Sequence, residues 1–142
     1  MDISAKNQEL LADGYAMWGD EDPFENLIGP FFLKDNGDGT NKSAFWSEAR
    51  HCNMGGFLHG GLLMSFADYS LFAIARDDLG GNSVTVGFNS EFIGAVGEGY
   101  LIESTGEVLR ATRSLIFVRG TIFSGEQTLM SFSGVLKRIK AK

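Results

Sequence analysis

Apolar positions along this chain first recur at helical spacing and later alternate as in strands. In residues 4–18, Leu10, Leu11, Tyr15 and Trp18 share that helical spacing, which predicts a short amphipathic helix. DEDPFENLIGP then reads as an acidic, turn-rich connection. GPFFLKDNGDGTNKSAFW predicts two short strands around a tight Asp-Gly turn. DNGDG has a faint likeness to a calcium loop, but Gly37 and Gly39 fall on ligand positions, so the turn is preferred. Residues 60–77 are apolar nearly all round and long enough for one helix, which other structure must then wrap. Gly80 and Gly81 are natural stop residues for it.

The second half is strand-like. SVTVGFNSEF puts Val84, Val86 and Phe88 on one face and Ser83, Thr85 and Gly87 on the other. GYLIESTGEVL, SLIFVRGTIF and TLMSFSGVLKRI follow, separated by RATR and SGEQ. Short loops between strands predict hairpins, so the four segments are expected to form an antiparallel meander. Such a sheet would bury one face against the apolar helix, and the class is α+β.

Length and composition narrow the reading. The 142 residues suit a single domain, with residues 1–23 as an N-terminal helix and linker. Twelve basic against eighteen acidic residues give a net charge of -6, which argues against a general nucleic-acid or membrane-surface binder. A local Arg or Lys cluster for an anionic ligand is still compatible with that balance. Cys52 is the one cysteine, so an internal disulfide is excluded and a reduced compartment fits. The N-terminus has no signal-peptide core, and the most apolar stretch is too interrupted to span a membrane. A soluble, cytoplasmic protein is expected.

The candidate chemistry lies in NMGGFLHGGLLMSFAD. From Cys52 to Ala75 the only formally charged residue is Asp68. Its helix neighbours are Met64, Ser65, Leu71 and Phe72, and desolvation among them would make it a stronger base. Gly60 falls where the helix begins. First-turn N–H groups have no intrahelical acceptor, so the Gly60 N–H is a natural oxyanion donor. Asn53 either offers its side-chain amide to the same carbonyl or braces the loop. Gly60 and Asp68 lie about 12 Å apart along one helix, too far to act on one carbon. If both act, two chains must share each site across a two-fold axis. Met54, Phe57, Leu58 and Met64 are the expected lining of an apolar slot.

Other constellations are weaker. His51-Cys52 shows no oriented triad, and Ser65 and Ser70 lack the G-x-S-x-G context. His51, Cys52 and His59 have no convincing zinc spacing, and no helix follows GAVGEG as a dinucleotide fingerprint requires.

Asn53, His59-Gly60-Gly61 and Asp68, followed by TVGFNSEF, resemble the hotdog-fold acyl-CoA thioesterases of the phenylacetate-pathway type. The resemblance covers roughly residues 24–138. One departure is FIGAVGEG, where members often place a proline before the small residue that follows this strand. The resemblance implies a curved antiparallel sheet around a central helix, and hydrolysis of acyl-CoA to acid and CoA. Asp68 would be base or nucleophile, Asn53 and Gly60 would polarise the carbonyl, and Thr85 would help Asp68 position water. His59 more often supports the loop in this family than it acts as acid or base. The resemblance also implies an obligate dimer with interfacial sites, often paired into a tetramer, and no cofactor beyond the CoA of the substrate. Arg110 and Arg113 in RATR, with Arg119, Lys137 and Arg138, are the candidate partners of the CoA phosphates. A non-catalytic acyl-CoA or acyl-carrier binding module is the alternative, and a hotdog dehydratase using His59 and Asp68 a third reading. The acyl group is left open.

Overall fold

Of the expected elements, the long apolar helix governs the rest. The structure, a computed structural model, describes residues 1–19 and 22–139. Helix α3 (Gly60–Ile74) carries buried Phe66, Ala67, Leu71 and Ala73 on the side facing the sheet, and a short 3-10 turn (Arg76–Asp78) follows it. The antiparallel strands are β1 (Phe32–Asp35), β2 (Asn41–Trp46), β3 (Ser83–Phe92), β4 (Leu101–Ala111), β5 (Leu115–Ser124) and β6 (Gln127–Arg138). Ile102, Ile116, Val118, Ile122, Met130 and Leu136 meet the helix in one core. Two small positions bring helix and sheet close: a methyl at Gly120 would lie 2.7 Å from the Phe132 ring, and one at Gly134 would overlap Leu71. A buried hydroxyl pair crosses the same interface. Ser104 donates to the Ser70 hydroxyl at 2.7 Å, and Ser70 donates to the Phe66 carbonyl at 2.7 Å.

The strand order is β1-β2-β4-β5-β6-β3. This corrects the expected four-strand meander. Strands β4, β5 and β6 are a meander, but β3 pairs with β6 at the far edge. The link through residues 93–100 is longer than a hairpin turn, so it can carry the chain back across the sheet. Ser47 fastens it, donating to the Gly97 carbonyl at 2.8 Å and accepting from the Tyr100 amide at 2.9 Å. The expected grouping of β3 side chains is also corrected. Val84 and Val86 are exposed while Phe88 packs against the core, and a register shift between Thr85 and Gly87 separates them. Thr85 faces α3.

The N-terminal region differs from expectation twice. Helix α1 (Ile3–Ala12) ends at Asp13-Gly14, so Tyr15 and Trp18 fall outside it. Tyr15 still joins Leu10, Phe32 and Ala44 in a second, smaller core. The acidic connection contains a helix, α2 (Pro23–Ile28), with Asp22 as N-cap and Pro23 in its first turn. Its last carbonyls are held from across the fold. Arg50 donates to Leu27 and Gly29, and the His51 ring meets the Ile28 carbonyl at 2.6 Å.

Candidate active site

Asp68 lies half-way along α3, on its open side. Thr85 of the neighbouring strand donates its hydroxyl to Asp68 Oδ1 at 2.6 Å. The two residues come from segments seventeen positions apart, and only the packing of α3 beside β3 brings them together. Asp68 is exposed on this chain, so the desolvating surround expected from its helix neighbours is not provided within it. Met64 is exposed on the same side.

The other half of the candidate site is the loop that starts the helix. His59 is the N-cap: its Nδ1 accepts from the Gly61 amide at 2.8 Å, and its carbonyl accepts from Leu62 and Leu63. That uses Nδ1 of the ring in building the first turn. The Gly60 N–H has no acceptor among the described residues. The Phe92 ring lies over Gly60, where a Cβ would come within 3.1 Å of it. Asn53 does brace its loop. Its Oδ1 accepts from the Gly55 and Phe57 amides at 2.9 and 3.2 Å. These bonds use the oxygen, and Nδ2 has no hydrogen-bond acceptor among the described residues.

Of the expected apolar lining, Leu58 is buried in the main core, while Met54 and Phe57 are exposed. A cleft of about 600 Å³ lies between α2 and the start of α3, bounded by Phe24, Leu27, Ile28, His59 and Leu62. His51 and Cys52 form no dyad. Nδ1 of His51 accepts from the Glu48 amide at 3.0 Å and Nε2 meets the Ile28 carbonyl, while the Cys52 thiol points to the Glu48 carbonyl. Burial lowers the His51 pKa and raises that of Cys52.

More than half of the chain, residues 55–131, matches the family model described as thioesterase superfamily. The chain belongs to the thioesterase superfamily. A Pseudomonas aeruginosa protein that carries the provisional name of an esterase is 34% identical to this thioesterase over 116 residues, 80% of this chain and 86% of that one. A variant of the phenylacetic acid degradation protein PaaI of Thermus thermophilus superposes with a TM-score of 0.72 at 25% identity, covering 83% of this chain and all of that one. The Escherichia coli PaaI protein superposes with a TM-score of 0.74 at 21% identity, covering 98% and 95% of the two chains. The fold is the hotdog, and membership of the superfamily makes thioester hydrolysis the general chemistry.

The thioesterase's basic residues separate into two groups. Arg138 donates to the Asp78, Thr112 and Arg113 carbonyls, closing two loops, and Arg119 pairs with Glu107 at 2.6 Å. Arg110, Arg113 and Lys137 are exposed and have no ion-pair partner among the described residues. The first two lie at the β4–β5 hairpin, and Leu115 beside it pairs with Lys137.

Residues not expected at the site also line the Asp68 cleft, which measures about 610 Å³. The sequence does not single out Glu25 and Tyr69, and it assigns Trp18 only to the first helix. Asp22-Pro23 is a helix-start signal that predicts α2. No local signal says that α2 packs beside Asp68.

Proposed function

We propose that this thioesterase hydrolyses acyl-CoA, with Asp68 as the base or nucleophile. The observation that carries the reading is the Thr85–Asp68 hydrogen bond on the open side of the helix whose first N–H is Gly60. With one oxygen held by Thr85, the other is free to take a proton from water. The hydroxide so formed adds to the thioester carbon. Charge builds on the carbonyl oxygen, where the Gly60 N–H and the Asn53 amide stabilise it. Collapse breaks the C–S bond, and the CoA thiolate leaves and takes up the proton. In the nucleophilic variant the Asp68 carboxylate adds first, and water then hydrolyses the anhydride.

About 12 Å of helix separates Gly60 from Asp68, so the reading requires two chains with antiparallel α3 helices, each site drawing Gly60 from one and Asp68 from the other. The exposed Met64, one helical turn before Asp68, supports this, since it gives that side of α3 an apolar surface beside the carboxylate. The family resemblance further implies pairing of such dimers. Arg110 and Arg113 are the proposed partners of the CoA phosphates, because neither is spent on an internal ion pair.

The test is thiol release over a panel of acyl-CoAs by wild type and Asp68→Asn. Loss of a general base typically costs about 10²–10⁴ in rate, and the variant should keep its fold. An Asp68→Asn protein that hydrolyses acyl-CoA at the wild-type rate sinks the assignment. Tight binding of acyl-CoA by wild type without thiol release would point to a binding module.

A further inference from the structure

Beside the proposed catalytic carboxylate, the chain builds a second polar feature. The Asp68 cleft is walled by Trp18, Tyr69 and Phe72 and contains the Glu25 carboxyl. Behind it is a smaller, more enclosed cavity of about 110 Å³, which shares Trp18, Asp22, Glu25 and Tyr69 with the cleft and is closed by Pro30 and Phe31. A space of that size takes a small substituent and no more.

Two side chains there lack partners. Tyr69 is only 4% exposed, yet its hydroxyl has no hydrogen-bond partner among the described residues. A buried hydroxyl left unsatisfied is costly, so such a group marks a place where something else is expected to bind. The hydroxyl is near enough to Glu25 to feel its charge. Glu25 itself is half-buried and has no cation paired with it among the described residues. Among the described residues, the charges that act on it are the carboxylates of Asp22 and Asp68. Asp22 is the cap of α2, accepting from the Glu25 amide at 3.0 Å, and Asp68 lies across the cleft. The nearby cation, Arg76, is stacked over the Trp18 ring at 5.7 Å. Burial, and then the charges of Asp22 and Asp68, push the Glu25 carboxyl up to about 7.

This is an awkward environment for the proposed reaction. Thioester hydrolysis builds negative charge on the carbonyl oxygen, and here Asp22 and Glu25 line the same cleft as Asp68. A cation on the acyl group would remove the conflict. It would pair with Glu25 and meet the Tyr69 hydroxyl. Resting on the acyl-CoA reading above, we infer that the cavity behind Asp68 is a subsite for an acyl group that ends in a protonated amine, with Glu25 and Tyr69 as its specificity-determining residues. The chain then favours amino-acyl thioesters over neutral ones of the same shape.

Three matched substrates test this: 6-aminohexanoyl-CoA, 6-hydroxyhexanoyl-CoA and heptanoyl-CoA, which differ only in an ammonium, hydroxyl or methyl terminus. Wild type should show kcat/KM about tenfold or more higher for the amine than for the methyl compound. The hydroxyl compound should fall between them. Glu25→Gln should bring the amine-to-methyl ratio close to one, and Tyr69→Phe should reduce it. Equal rates for all three in wild type overturn the inference while leaving the acyl-CoA reading intact. So does a Glu25→Gln protein in which all three rates fall together with the ratio unchanged, since Glu25 would then act through Asp68. Binding of the corresponding thioether analogues, which cannot be hydrolysed, is measured by calorimetry on wild type and both variants. The same ratio is expected in Kd. If no acyl-CoA is turned over, the hydrolase reading fails alone and the Kd ratio still decides the subsite.

Discussion

At the scale of the residue, the same chemical type does different work according to what it faces. Asp68 and Glu25 border one cleft, but Asp68 is held by a donor and Glu25 faces other carboxylates. His59 and His51 are eight positions apart, and both serve the backbone. His51 is the more constrained, with Nδ1 accepting from Glu48 and Nε2 against the Ile28 carbonyl. Burial holds its pKa below the ordinary 6.5. Below that pH the unfolded chain therefore binds a proton that the folded chain resists, and stability falls as pH drops. Glu25, raised from 4.5 to about 7, acts in the opposite sense over part of that range. The useful readout is thus the difference between wild type and His51→Gln in urea unfolding. That difference should be about 1–3 kcal/mol at pH 8 and should shrink at pH 5. A gap of equal size at both pH values would show that the ring does not titrate as argued.

At the scale of the element, α3 has two sides with separate duties. One side packs so closely on the sheet that β5 and β6 need glycine beneath it. At Gly120 a methyl would press on the Phe132 ring and on the Thr105 carbonyl of the neighbouring strand. Gly120→Ala should therefore cost about 1–3 kcal/mol, the usual range for overpacking, read from the denaturation midpoint. A variant as stable as wild type would mean that the sheet opens more readily than this packing allows. The other side of α3 carries Met64 and Asp68 and stays open. Helix α2 adds a wall to the cleft below it, and its carbonyl end depends on Arg50 and His51 for partners.

At the scale of the molecule, a site divided between two chains makes a distinctive prediction. On the proposed two-chain reading, Asp68→Asn and Asn53→Ala should each damage both sites of a dimer, but in different halves. When the two variants are co-expressed and assort at random, half the dimers are mixed and each mixed dimer regains one intact site. Activity should return to about a quarter of wild type. If each site came from one chain alone, the mixture would show no recovery beyond the sum of its parts.

The sequence alone determined the class, the long apolar helix and the strands, and it singled out Asn53, Gly60 and Asp68 as candidates. Those follow from periodicity, turn residues and spacing, which act over a few positions. It also revealed, through the rise of a helix, that Gly60 and Asp68 cannot meet within one chain. The strand order was not legible, because two strands adjacent in sequence pair only if the link between them is short, and the link after β3 crosses the sheet. Nor were the exposure of Val84 and Val86, the exposure of Asp68, or the approach of Glu25 to it. Alternation along a strand divides residues into two faces without saying which face is covered. A carboxylate's surroundings depend on segments far away in the chain, and only tertiary packing chooses them.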